Sequence, residues 1–182
     1  MPESVLSILC SEPWRWDSFA SSEITFNQDG TGKLTCRAGF NAWIAAEIEW
    51  TARHAESLQE QITMSQHDSC LVDRLEIELT LTKRRPGGAD MSRHRINEDA
   101  LKEGAFLPKT YTLCLEKGEF HAQSYVPEQG QSPRQTPKFQ LRLAFDPSPY
   151  PPRQEWVRPH RGPDSMKFWE WTQFCSRHIG FF

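Results

Sequence analysis

Long apolar runs are missing from this chain. No stretch approaches the roughly 20 residues that a membrane helix requires. Glu3 stands where a secretory leader would carry its basic segment, and the apolar run behind it, Val5 to Leu9, is shorter than a leader's core. A cytoplasmic protein without membrane partners is the expectation. Apolar residues as a class are scarce as well, at 37% of 182, which is low for a chain of one-domain length. Charge of a single sign is absent: 21 Lys+Arg stand against 24 Asp+Glu, a net charge of −3, which speaks against a general polyanion binder and so against nucleic acid as a partner. The five cysteines, Cys10, Cys36, Cys70, Cys114 and Cys175, are odd in number and scattered, so they do not read as a disulfide framework. A nucleophile elbow, an HExxH helix, a dinucleotide fingerprint and a kinase set are all lacking, which takes weight from the hydrolase, redox and nucleotide classes.

What is present is aromatic mass and strand patterning. Seven tryptophans accompany 13 prolines, and the tryptophans fall into two groups, Trp14, Trp16, Trp43 and Trp50 near the start and Trp156, Trp169 and Trp171 near the end. Ile24 and Phe26 face Leu34 and Cys36 across Asn27-Gln28-Asp29-Gly30-Thr31-Gly32, a β-hairpin with glycine at the turn. Phe40 to Trp50 alternates Ile44, Ala46, Ile48 and Trp50 against Trp43, Ala45, Glu47 and Glu49. Gln59 to Met64 makes a short strand, and Leu71 to Thr82 gives the cleanest alternation, Leu75, Ile77, Leu79 and Leu81 against Glu76, Glu78, Thr80 and Thr82. Asn97 to Glu103 predicts two turns of helix capped by Asn97. Tyr111 to Glu116 and Phe120 to Val126 read as a second hairpin turning at Lys117-Gly118-Glu119, and Phe139 to Phe145 follows a Pro127 to Pro137 loop. Asp146 to Pro152 is too rich in proline for helix or central strand, and Met166 to His178, behind Pro163, predicts a helix whose Phe168, Trp169, Trp171 and Phe174 exceed one narrow stripe.

These elements predict a single mainly β domain over residues 1 to 182: an antiparallel meander closing into a barrel over about 14 to 146, a short middle helix, a Pro-rich connection over 146 to 163 and an aromatic C-terminal helix over about 164 to 178 that meets the N-terminal strands. With Pro13-Trp14-Arg15-Trp16 at the entry, the Asp29-Gly30-Thr31-Gly32 hairpin, the meander and the terminal helix, the chain resembles the lipocalin-like (calycin) barrels in architecture. The resemblance implies a barrel that holds one small ligand.

On that footing the expected partner is a small apolar or aromatic molecule. Trp16, Phe40, Trp43, Trp50, Tyr111, Tyr125 and Phe139 are the candidate walls. Glu47, His121 and Arg142 could supply a base, an acid and an anion stabiliser to an isomerase or cyclase that needs no cofactor. The alternative is a non-catalytic interaction module that meets a protein partner, or a second copy of itself, through the aromatic helix and the Pro-rich segment. His67 with Cys70 and Cys175 with His178 have ligand spacing, but nothing in the sequence joins the two pairs, so no metal is expected. Lys83-Arg84-Arg85 with Arg93 and Arg95 forms a basic loop cluster, and from Pro127 onward eight Lys+Arg stand against five Asp+Glu.

Overall fold

A computed structural model describes residues 2–62, 70–87, 93–122 and 137–181. In chain order its elements are β1 (Glu3–Ser4), α1 (Val5–Ser11), β2 (Trp14–Arg15), β3 (Glu23–Phe26), β4 (Thr31–Ala38), β5 (Asn41–Ala52), β6 (Gln61–Ile62), β7 (Cys70–Leu81), β8 (Lys109–Phe120), β9 (Pro137–Asp146), α2 (Pro163–Met166) and β10 (Gln173–Phe181). Eight strands follow one another in a hydrogen-bonded ring, β10-β2-β3-β4-β5-β7-β8-β9, every pair antiparallel, and β10 returns to β9. β1 and β6 pair separately. No helix among the described residues is long and apolar enough to cross a membrane.

The strands that alternate most clearly form as expected. Ile24 pairs with Leu34 and Phe26 with Gly32, and the turn between them places Gly30 at φ 83°. A Cβ on Gly32 would stand 2.0 Å from the Thr25 carbonyl oxygen, so the hairpin excludes a side chain there. Trp50 locks the same turn, its indole N–H donating to the carbonyls of Asn27 and Thr31 at 3.1 and 3.0 Å. The inward residues Leu34, Ile44, Ile48, Leu75, Ile77, Leu113, Leu143 and Phe174 are buried in one continuous cluster.

Three expectations are corrected. Gly118 does not turn a second hairpin: β8 runs on through it to Phe120, and the register shift against β9 between Lys117 and Phe120 absorbs the irregularity as a bulge. The middle segment holds two separate 3₁₀ turns, Asn97–Asp99 and Glu103–Phe106, instead of a helix. The C-terminal helix is also replaced. α2 stops after one turn, where Lys167 takes φ 50°, and β10 follows, pairing with β9 along its length and with Arg15 of β2 at Cys175. A helix there would have left the facing edges of β9 and β2 without backbone partners, whereas a strand joins them. The surplus of aromatics is explained the same way: Phe174 points into the ring, while Phe168 and Trp171 cover one of its ends.

That end cover is the connection from β9 to β10. Tyr150, Trp156, Phe168 and Trp171 are buried in it, and the Tyr150 hydroxyl donates to the Thr35 carbonyl of β4 at 2.7 Å. The two tryptophan groups do meet: Trp16 stacks on Trp171 with centroids 3.4 Å apart and planes 7° from parallel, and Trp43 packs against Trp156 at 6.2 Å and Phe168 at 6.1 Å.

Candidate functional site

Beside the end cover, three cavities adjoin on the rim. Trp43, which lines two of them, is placed there by an irregularity in β5. Cys36 pairs with Ile44 but Arg37 with Ala42, so Trp43 is an extra residue with no partner in β4. A bulge of this kind re-aims a side chain, and Trp43 leaves the alternation predicted for it to join the cover.

The outer wall of the groove is held by Asn97. Its side-chain amide imitates a strand residue, accepting from the Ala45 N–H at 3.0 Å and donating to the Ala45 carbonyl at 2.8 Å, fully buried and at φ 54°. Asparagine tolerates that left-handed backbone better than most residues. Ile96 beside it buries against Ala45 and Ala42, and Arg93-His94-Arg95 are thereby held along β5. Two backbone hydrogen bonds, Val157 N–H to the Ala100 carbonyl and Lys102 N–H to the Glu155 carbonyl, tie this segment to the one that carries Arg158 and Arg161.

The cavities measure about 240, 300 and 290 Å³. The first is floored by Trp43 and Trp156 and ringed by Arg95, Arg158 and Arg161, with Asp99 its one acid. It shares Trp43 and Arg95 with the third, which adds Arg93. The third shares Phe40 and His94 with the second, which adds Arg37. Among the described residues, none of these five arginines has a carboxylate within 4 Å, whereas Arg84 holds Glu47 and Glu49 at 2.8 and 2.7 Å, and Arg153 holds Asp164 at 2.7 Å. Even Asp99 is shared, 3.8 Å from Arg85. A cluster of unpaired guanidiniums makes a positive local field although the whole chain is slightly acidic.

The predicted site residues are spread over the molecule. Glu47 lies on the outer face of β5, bound to Arg84, three strands around the ring from Arg142 on β9. Arg142 pairs with Glu116 and stands 4.4 Å from the centroid of the Phe120 ring. His121 is exposed just past β8, where its carbonyl accepts a weak bond from Cys175 Sγ at 3.6 Å. Trp50, Tyr111 and Phe139 are buried, burial pushing the Tyr111 hydroxyl well above the usual phenol range. Trp16 is engaged by Trp171, and Tyr125 and His67 lie outside the described residues. Cys175 and His178 sit on a strand, the thiol pushed up to about 12 by burial and the imidazole packed edge-on against Phe139. Of the expected walls, Phe40 and Trp43 are the two that reach the groove.

In the sequence Arg93 and Arg95 fall into one basic cluster with Lys83, Arg84 and Arg85, which the fold neutralises through Glu103, Glu47, Glu49, Glu98 and Asp99. The usable signal was the recurrence of two Arg/His tracts, Arg93-His94-Arg95 and Arg158-Pro159-His160-Arg161. Compared with protein-family models, with curated proteins and with solved structures, the chain matches none.

Proposed function

We propose that this protein is a binding module for a ligand that carries both phosphate and planar rings, and that the rim groove is its site. The observation that supports this reading is the set of five arginines around Trp43 and Phe40, none with a carboxylate within 4 Å among the described residues. A guanidinium offers two parallel donors that match phosphate oxygens, and an aromatic face accepts a flat ring. Calorimetric titration with a nucleoside triphosphate tests the reading. Binding weakened about tenfold or more by Arg95→Ala with Arg158→Ala, at unchanged melting temperature, is the expected result. Equal affinity in both proteins would remove the groove from consideration.

A second reading keeps a small apolar or aromatic molecule inside a lipocalin-like barrel, and it draws on two charged residues of the inner wall. Lys117 continues the inward series of Leu113 and Leu115, is 5% exposed and has no described ion pair. Asp73 lies opposite the inward Leu115, and its Oδ2 is buried without a hydrogen bond. Such groups cost stability unless something satisfies them. Under this reading an apolar anionic dye, anilinonaphthalene sulfonate, is taken up by the native protein and released by Lys117→Met. Dye uptake that ignores the substitution counts against it.

A further inference from the structure

Building on the groove reading, we infer that the natural occupant is a single-stranded nucleic acid, running from Phe19 and Phe40 past Trp43 to Arg158 and Arg161. The order is set by the shared linings. Phe40 and His94 join the second cavity to the third, and Trp43 and Arg95 join the third to the first, so the cavities form a track and not one enclosed pocket. A single nucleotide needs one pocket, whereas a strand needs a repeating path of cations and ring faces, which this rim supplies.

The far end of the track strengthens the point. Phe40 at the β4–β5 turn is fully exposed, and Phe19 on the neighbouring loop is 90% exposed. That loop is braced: the buried Asp17 carboxylate accepts from the N–H groups of Phe19, Ser21 and Ser22 at 2.9, 3.1 and 2.8 Å and from the Ser21 hydroxyl at 2.6 Å. The Ser22 hydroxyl then bonds the Arg37 backbone on both sides, at 2.9 Å each. Asp17 and Ser22 therefore hold a phenyl ring in water on a rigid support, next to Ser21 and Arg37 of the track. Exposed rings on a fixed loop are platforms on which unpaired bases stack, and a duplex would not present those base faces.

Two exposed phenylalanines near arginines could also suit an anionic membrane. Two features favour the nucleic acid. Trp43 stands half-buried in the middle of the cationic track, lining two of the three cavities as a ring face between arginines. The cations of the lining are all arginine, with no lysine, and arginine adds ring stacking to charge. A bilayer attracts either residue by charge alone.

Fluorescence anisotropy of the full chain with a labelled single-stranded oligonucleotide of about 12 nucleotides, in DNA and RNA forms, is the test. Five arginine contacts predict a slope of log K against log salt near −3.5, so affinity falls about 100-fold between roughly 50 and 200 mM salt. Arg95→Ala should flatten the slope by about 0.7. Phe40→Ser should weaken binding roughly tenfold and leave the slope unchanged. Because Phe40 is exposed, its variant should melt as the parent does. Equal affinity for duplex, equal affinity for inorganic polyphosphate, or stronger capture by phosphatidylserine vesicles would each overturn the inference while leaving an anion site in the groove. Failure to bind any of these polyanions would overturn the groove reading as well.

Discussion

Across the outer wall of the ring, the register sets Glu116, Arg142, Cys175, Arg15 and Glu23 side by side on five neighbouring strands. The charges there are paired, tightly or loosely: Arg142 holds Glu116, while Arg15 stands 3.9 Å from Glu23 with its buried Nε making no hydrogen bond. On the rim the same residue type occurs at five positions with no carboxylate within 4 Å among the described residues. Arginine on the wall is a structural group, whose removal strands a carboxylate. Removing an arginine of the rim breaks no such ion pair among the described residues, and its field is open to an anion from outside. The number of arginines does not separate the two regions; the carboxylates facing them do.

The comparison can be broken most severely at Asn97. Asn97→Ala removes two buried hydrogen bonds and puts alanine at φ 54°. The expected loss is about 2 to 4 kcal/mol in denaturant unfolding, together with loss of ligand binding as the Arg93-His94-Arg95 wall comes away from β5. A variant that binds normally would show that this wall is not part of the site. Arg142→Ala sharpens the contrast between the two kinds of arginine. It should cost about 1 kcal/mol by leaving the half-buried Glu116 unpaired and should leave groove binding intact, the reverse of the rim substitutions.

The smallest effect concerns Glu23, whose carboxyl is raised above its usual 4.5, first by burial and against the pull of Arg15. A raised carboxyl favours its protonated form in the fold. The stability it permits is therefore fully present below the unfolded value and is lost as pH rises through the folded one. Glu23→Gln, which carries no charge to desolvate, should raise the melting temperature at neutral pH. The gain should shrink toward zero as the pH falls below about 4. A gain that persists in acid would locate the strain elsewhere.

Legibility in the sequence followed the range of the interactions. The β3–β4 hairpin was readable because Gly30 and the alternation on either side of it are local. β7 was readable because Leu75, Ile77, Leu79 and Leu81 leave one face for the core and Glu76 and Glu78 leave the other for water. Lys117-Gly118-Glu119 resembled a turn, and only pairing with β9 shows that Gly118 sits within a bulged strand. Residues 166 to 178 satisfied a helical reading locally, and the edges of β9 and β2, far off in the chain, turned the last nine described residues, Gln173–Phe181, into a strand.

For the candidate site, the residues themselves were visible and their roles were not. Arg84 and Arg93 read alike in a sequence, because pairing with Glu47 and Glu49 depends on where β5 runs. Trp43 belonged to an alternating strand until a register shift made it the floor of a groove. Local chemistry by itself determined the strand-rich character, the turn at Gly30 and the presence of aromatic mass at both ends. The tertiary structure alone decided which charges cancel, which ring faces water and where the last strand pairs, because each depends on groups brought together across the ring.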